Sequence, residues 1–211
     1  MVKKKAYSPK DIERIKTVEL PFDGKWEEAF GCPSVNETWF ITGQSASGKS
    51  SFVMQLAKKL CEYGRVLYVS LEEEVRASFK RRLSMLRMDD VQGRFRVITD
   101  ADMETLTERL SKPKSGNFII IDSLQFTEWD YPSTKALVEH FPKKSFIFVS
   151  QEDKGRPIGK TAVKVKFLAG MKIRTIGFKA YCQGRYINDV TTYYTIWEEG
   201  VMKASNNISK Q

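Results

Sequence analysis

Apolar and polar positions along this chain follow two rhythms. Five short runs are almost continuously apolar and rich in β-branched and aromatic residues: TWFIT from Thr38, RVLYVS from Arg65, RFRVIT from Arg94, NFIIID from Asn117 and SFIFVS from Ser145. Between them lie KSSFVMQLAKKLCEY, EEVRASFKRRLSML, METLTERLS and PSTKALVEHF, where apolar residues recur at helical spacing. Strands without a polar face, separated by amphipathic helices, predict an α/β fold with a parallel sheet covered on both sides. Gly64 stands where the first of these helices should be capped. After Ser150 the rhythm changes. The segment QEDKGRPIGK, rich in glycine, proline and lysine, reads as a loop and is followed by AVKVKFLAG. MKIRTIGFKAYCQGRYI and VTTYYTIWEEG then read as antiparallel strands that extend the sheet. Residues 1–37 carry no clear core pattern and are expected to pack as a lead-in, with a domain over 38–201 and an unstructured tail over 202–211.

The length of 211 residues suits one domain with a full core. No window approaches the roughly 18 uncharged apolar residues of a membrane helix. The basic start MVKKKAYSPK runs into DIERIK, where a secretory signal would be apolar. Three widely spaced cysteines, Cys32, Cys61 and Cys182, form neither a disulfide framework nor a zinc pattern, which fits a reducing, cytoplasmic setting. The charge adds more. Nine basic residues (Lys154, Arg156, Lys160, Lys164, Lys166, Lys172, Arg174, Lys179 and Arg185) occur between 154 and 188 with no Asp or Glu among them. The whole net charge of +9 therefore lies in this region. It reads as the footprint of a polyanion.

Directly after the first apolar run comes GQSASGKSS: Gly43, Gln44, Ser45, Ala46, Ser47, Gly48, Lys49, Ser50 and Ser51. Gly43, Gly48, Lys49 and Ser50 make a G-x-x-x-x-G-K-S loop between a strand and a helix. Its glycines let backbone N–H groups turn inward around the phosphates of ATP. Lys49 is placed for the β/γ-phosphates and the Ser50 hydroxyl for Mg²⁺. A carboxylate is needed on the metal side, and Asp122 ends a buried strand there; the plainer reading makes it a helix N-cap. Ser123 follows Asp122 directly, so no adjacent glutamate can orient the attacking water. Glu72, at the end of RVLYVSLEEE, can polarise that water from a neighbouring strand. Glu72, Glu73 and Glu74 together also fit a solvated helix start. His140 and the four tryptophans (Trp26, Trp39, Trp129, Trp197) read as structural.

These motifs, in this order, resemble the RecA-like ATPases, and among them the DnaB helicase and RadA branch. GQSASGKSS resembles their Walker A loop, VLYVSLEEE the strand ending in S-L-E or S-x-E-E, FIIIDSLQ the Walker B strand and FIFVSQED the strand ending in Ser-Gln. CQGRYINDVTTYYTIWEEG resembles the K-N-R-F-G stretch of RadA with its following strand. The similarity spans about residues 24–201. It implies that Glu72 is the catalytic base, that Gln151 senses the γ-phosphate, and that Arg185 is offered across a subunit interface. It implies ATP hydrolysis in a ring or filament of identical copies, and it places the loop after Gln151 against DNA. That segment, with Lys154, Arg156, Lys160, Lys164 and Lys166, then supplies sequence-indifferent contacts to the phosphate backbone. There are departures. Gln183 replaces the lysine of K-N-R-F-G, and the resemblance, over about residues 24–201, is expected to take in the motor core without the zinc-binding head of RadA or the collar domain of the helicases. A P-loop kinase for a small molecule and a nucleotide-gated scaffold that binds a protein partner are the rival readings.

Overall fold

The structure is a computed structural model that describes residues 6–100, 102–187, 189 and 191–208. Lys3, Lys4 and Lys5 and the last three residues lie outside the described residues. All five apolar runs are strands: β1 (Thr38–Gly43), β2 (Val66–Ser70), β3 (Phe95–Ile98), β4 (Phe118–Asp122) and β5 (Ser145–Asp153). The short β6 (Arg156–Pro157), then β7 (Met171–Ile176), β8 (Lys179–Cys182) and β9 (Tyr193–Thr195), follow. The strands lie in the order β3-β2-β4-β5-β1-β7-β8-β9, with β6 hung on β5. Pairing is parallel from β3 through β7 and antiparallel from β7 through β9.

Alternate strand residues feed two cores. Trp39, Ile41, Tyr68, Ile120, Ile147 and Val149 point to one face. Phe40, Leu67, Val69, Ile119, Ile121, Phe146 and Phe148 point to the other. The first face is covered by α3 (Lys49–Leu60), α4 (Ala77–Met85) and, from the lead-in, α2 (Gly24–Phe30). The second is covered by α5 (Met103–Ser111), α6 (Tyr131–His140) and α7 (Lys160–Leu168). With both faces of β1, β2, β4 and β5 dry, those four strands carry charged side chains only toward their ends, whereas β3, at the sheet edge, is half-buried and carries exposed Arg96.

The lead-in is part of the core. After a short exposed helix α1 (Pro9–Glu13), Leu20, Phe22, Ala29 and Phe30 are buried. Trp26 and Phe30 pack on Phe52 of α3 and on Tyr194 of β9. Four expectations change. Gly64 does not cap α3, which ends at Leu60; it sits under Asn117, whose Oδ1 would lie 2.9 Å from a Cβ there. The glutamates 72–74 form a turn, and α4 starts only at Ala77. The expected tail is helical, as α8 (Glu198–Ile208). The segment after Gln151 is regular where a loop was expected. Asp153 pairs with Arg156 across the two residues Lys154 and Gly155, both at positive φ (46° and 82°), the geometry of a tight hairpin turn. Helix α7 follows at once. Trp39 is fully buried, as expected of a packing residue, but Trp197 is 44% exposed.

Phe30→Ala should cost about 3–5 kcal/mol, the range for a large aromatic lost from a dry core. Chemical denaturation should then show one transition shifted to lower denaturant. A separate early transition would mean that the lead-in is not part of the cooperative unit.

Candidate functional site

The parallel strands end on one rim, and the polar residues predicted from sequence collect there. Gly43 closes β1, Ser70 and then Glu72 follow β2, Asp122 closes β4, and Gln151 lies near the end of β5. In register, Ser70 pairs with Asp122 and Gly43 with Gln151. A cavity of about 320 Å³ at this rim is lined by Gln44, Ser45, Ala46, Gly48, Lys49, Ser50, Ser51, Glu72, Arg82, Gln151 and Phe178.

The loop is shaped by close approach. A Cβ on Gly43 would overlap the Thr175 hydroxyl, and Gly48 turns into α3 at φ 92°. Ala46 is also left-handed, at φ 61°. The Ser47 hydroxyl shares a 2.7 Å hydrogen bond with that of Thr175, and its carbonyl accepts from the Phe178 N–H at 3.2 Å. The loop is thus pinned to β7 and to the turn after it. Its far side opens on the first turn of α3, whose N–H groups have no intrahelical acceptor. Lys49 is only 7% exposed, yet its amine makes no hydrogen bond or ion pair among the described residues. The hydroxyls of Ser45, Ser50 and Ser51 likewise have none. A cation that opens on the cavity without a direct ion pair, acted on only through space by the Asp122 carboxylate, beside free donors and a helix N-terminus, suits a phosphate chain. The Ser50 hydroxyl and the Asp122 carboxylate are oxygen donors of the kind Mg²⁺ takes.

Across the cavity, the Gln151 amide donates to Glu72 Oε1 at 3.1 Å, and Glu72 is exposed. Asp122 is 7% exposed, and burial pushes its carboxyl above the usual range against the pull of a hydrogen bond from the Tyr68 hydroxyl. The Asp122–Ser123 peptide is cis. Arg82 of α4 grips Glu73 through two bonds of 2.5 and 3.2 Å, which hold the Glu73 carboxyl below its usual range. Sequence reasoning missed Tyr68, Arg82 and Thr175. Tyr68 had only its alternation with Ser70 to mark it, and the other two come from outside the loop motif.

The remaining predicted residues lie elsewhere. Lys154 and Arg156 are exposed on the β5–β6 hairpin. Lys160 and Lys164 are exposed on α7, while Lys166 is half-buried. Arg185 is exposed, and its N–H binds the carbonyl of Gly170, ahead of β7. That is the opposite end of the sheet from the cavity, so the structure does not bring Arg185 to its own loop. His140 is exposed at the end of α6.

Asp122→Asn should raise the melting point at neutral pH, by up to about 2 kcal/mol in stability, because it removes a desolvated charge from the rim. Calorimetry of the ligand-free protein checks this. A lower melting point would mean that the Tyr68 contact outweighs the burial cost.

The family model for adenylylsulphate kinase matches residues 36–109, from just ahead of β1 into α5, and stops short of Asp122 and Gln151. The DNA repair protein RadA of Streptococcus pneumoniae (strain ATCC BAA-255 / R6) is 31% identical over 85 residues, 40% of this chain and 19% of that protein. RadA of Streptococcus pyogenes serotype M6 is 32% identical over 85 residues, 40% of this chain and 18% of that one. The match therefore spans about a fifth of the length of these relatives. Among solved structures, the flagellar accessory protein FlaH from Methanocaldococcus jannaschii is similar with a TM-score of 0.62 at 15% identity, covering 84% of this chain and 93% of that one. The KaiC-like protein PH0186 from Pyrococcus horikoshii OT3 reaches 0.59 at 19% identity, covering 84% and 91%. At such identities the likeness is one of fold: this chain shares with both structures a mainly parallel sheet between helices, and it carries antiparallel strands at its C-terminal side.

Proposed function

We propose that this protein binds ATP with Mg²⁺, hydrolyses it, and couples the cycle to DNA as an assembly of identical copies. One observation carries the reading: Lys49 makes no direct hydrogen bond or ion pair among the described residues and lines the same cavity as the Gln151–Glu72 pair. When bound, Mg²⁺ would neutralise charge on the β- and γ-phosphates, held through Ser50 and Asp122. Lys49 offsets negative charge on the phosphate chain as the bond to the γ-phosphorus breaks. Glu72 takes the proton of the attacking water, whose oxygen forms the new bond to phosphorus. Gln151 holds Glu72 in place and links it to the hairpin.

The DNA part rests on the charge. Lys154 and Arg156 stand at a hairpin tip, and Lys160 and Lys164 follow on the exposed face of α7. Backbone recognition suits such a surface. The RadA relatives carry DNA repair in their name. Replication or recombination is the process such a motor, recombinase-like protein or loader would serve. A kinase for a small molecule is the second reading, favoured by the adenylylsulphate kinase match. Against it stand the Gln151–Glu72 contact and the C-terminal antiparallel strands.

Lys49→Ala should abolish nucleotide binding with the fold intact, as seen by calorimetric titration and circular dichroism. Glu72→Gln should bind ATP normally and turn it over about 10²-fold more slowly. Normal turnover in either variant moves the chemistry elsewhere.

Replacing Lys154, Arg156 and Lys160 by serine should spare ATP binding and basal turnover. Affinity for DNA should fall for all sequences alike. The slope of log affinity against log salt should shrink by about 2 to 3, at roughly 0.7–0.9 per phosphate contact. Loss of basal phosphotransfer with unchanged DNA affinity would favour the kinase.

A further inference from the structure

One ion pair near the rim, buried on its carboxylate side and 31% exposed on its arginine side, has no part in the chemistry above. Glu152, the residue after Gln151, has a side chain only 1% exposed. Arg174 of β7 donates to it three times: Nε to Oε1 and to Oε2, both at 3.0 Å, and Nη2 to Oε1 at 2.7 Å. The Thr42 hydroxyl stands 3.4 Å from Oε2. Burying the Glu152 carboxylate carries a desolvation cost that its partners must offset, so its position calls for another explanation.

Glu152 lies where β5 loses its neighbour. The ladder between β1 and β5 ends at Gly43 and Gln151, because β1 turns away into the phosphate loop. From Glu152 onward the chain is hairpin, paired with Pro157. Two side chains grip the root of that hairpin. Gln125, from the segment after β4, binds Ser150, Gln151 and Ile158. Arg174 binds Glu152 from the other side and lies under the hairpin tip, where a Cβ on Gly155 would be 3.3 Å from Nη2. Arg174 pairs in register with Thr42, and the next residue, Thr175, holds the loop through Ser47 and the Thr42 carbonyl. One short stretch of β7 therefore touches both the phosphate loop and the basic hairpin.

We propose that the Glu152–Arg174 pair is a tether that couples the phosphate loop to the basic hairpin, separately from the Gln151–Glu72 contact. Nucleotide in the loop fixes Ser47 and Gly43 against Thr175, which fixes Arg174, and Arg174 stiffens the hairpin through Glu152. Arg174 is a positioning residue in this scheme and touches neither nucleotide nor DNA. The inference rests on the reading of the loop as a nucleotide site.

Hydrogen exchange with and without a non-hydrolysable ATP analogue and magnesium tests it. The variant is the double substitution Glu152→Gln with Arg174→Met, which leaves no lone charge buried; Arg174→Lys, which keeps the charge but loses the fork, is the second. In the wild type, the analogue should slow exchange in residues 43–51 and, by about five-fold or more, in residues 152–158. In the double variant, 43–51 should remain protected, while 152–158 should exchange faster and change less than about two-fold on adding the analogue. Exchange over β4 should be the same in both proteins, which separates loss of coupling from global destabilisation. A hairpin that responds as strongly in the double variant overturns the tether. So does a wild-type hairpin that ignores the analogue while 43–51 is protected. If 43–51 is unprotected in the wild type, the nucleotide reading itself fails and the tether falls with it.

Discussion

The rest of the molecule depends on β1 being buried on both faces and flanked by parallel neighbours on both edges. From Thr38 to Gly43 every residue is buried, between β5 and β7. No polar chemistry can be placed along such a strand, so it has to appear where the strand stops. Parallel pairing then brings the ends of β2, β4 and β5 to the same rim, with Glu72, Asp122 and Gln151. The turn out of β1 must pass hard against β7, where only glycine at position 43 leaves room for the Thr175 hydroxyl. That close approach holds Lys49 at the start of α3, its stem buried and its amine on the cavity. Dry strands, a tight first glycine and a lysine with no direct ion pair are thus one arrangement.

What was legible in the sequence followed from patterns with a single physical solution. Nearly continuous apolar runs fit strands, and all five are found; four are buried, while β3, whose run is broken by Arg96, is a half-buried edge. The loop motif fixed its own flanks, strand before and helix after. Less legible were features set by distant partners. Gly64 looked like a cap by position, yet it is required by Asn117 from another part of the chain. Lys154 and Gly155 looked like a flexible loop, but the same two residues suit a tight hairpin turn once β6 pairs with β5. Helix α8 was hidden by polar composition in KASNNISKQ, where local propensity is weak and α8 nevertheless runs on to Ile208. Arg82 and Glu73 read as ordinary helix charges because only the fold brings α4 beside the loop.

The charge count shows the same limit. By sequence, residues 154–188 carry nine uncompensated positive charges. In the fold, Arg174 is spent on Glu152, which lies just ahead of that region, and its guanidinium is anchored inward. The Lys164 amine lies 5.7 Å from the Tyr131 ring and that of Lys179 4.0 Å from the Tyr193 ring, which keeps both stems on the surface while the charges stay hydrated. The charges left to face a polyanion are therefore fewer than the raw count and are concentrated on the hairpin and α7. Local concentration raises their effect on a phosphate backbone, since screening leaves only charges within about 8–10 Å acting together.

Arg185 poses the remaining geometric problem. Its backbone is tied to Gly170 at the start of β7, whereas the phosphate loop touches Thr175 near the end of that strand. Five residue steps along a strand span about 16 Å, and the two sites lie at opposite ends of the sheet. An arginine side chain cannot cross that distance through a packed domain. Any contact between Arg185 and a nucleotide must then be made with the loop of another copy, with the amino ends of one sheet facing the carboxyl ends of the next. Such head-to-tail contact is heterologous, and it propagates until it closes as a ring or continues as a filament. Gln183 sits two residues away, exposed, where the resemblance places a lysine. A neutral side chain there would leave Arg185 as the cation if, as the resemblance implies, this surface meets a neighbour's nucleotide. The interface would then depend on one guanidinium, whose fork can bind two phosphate oxygens at once.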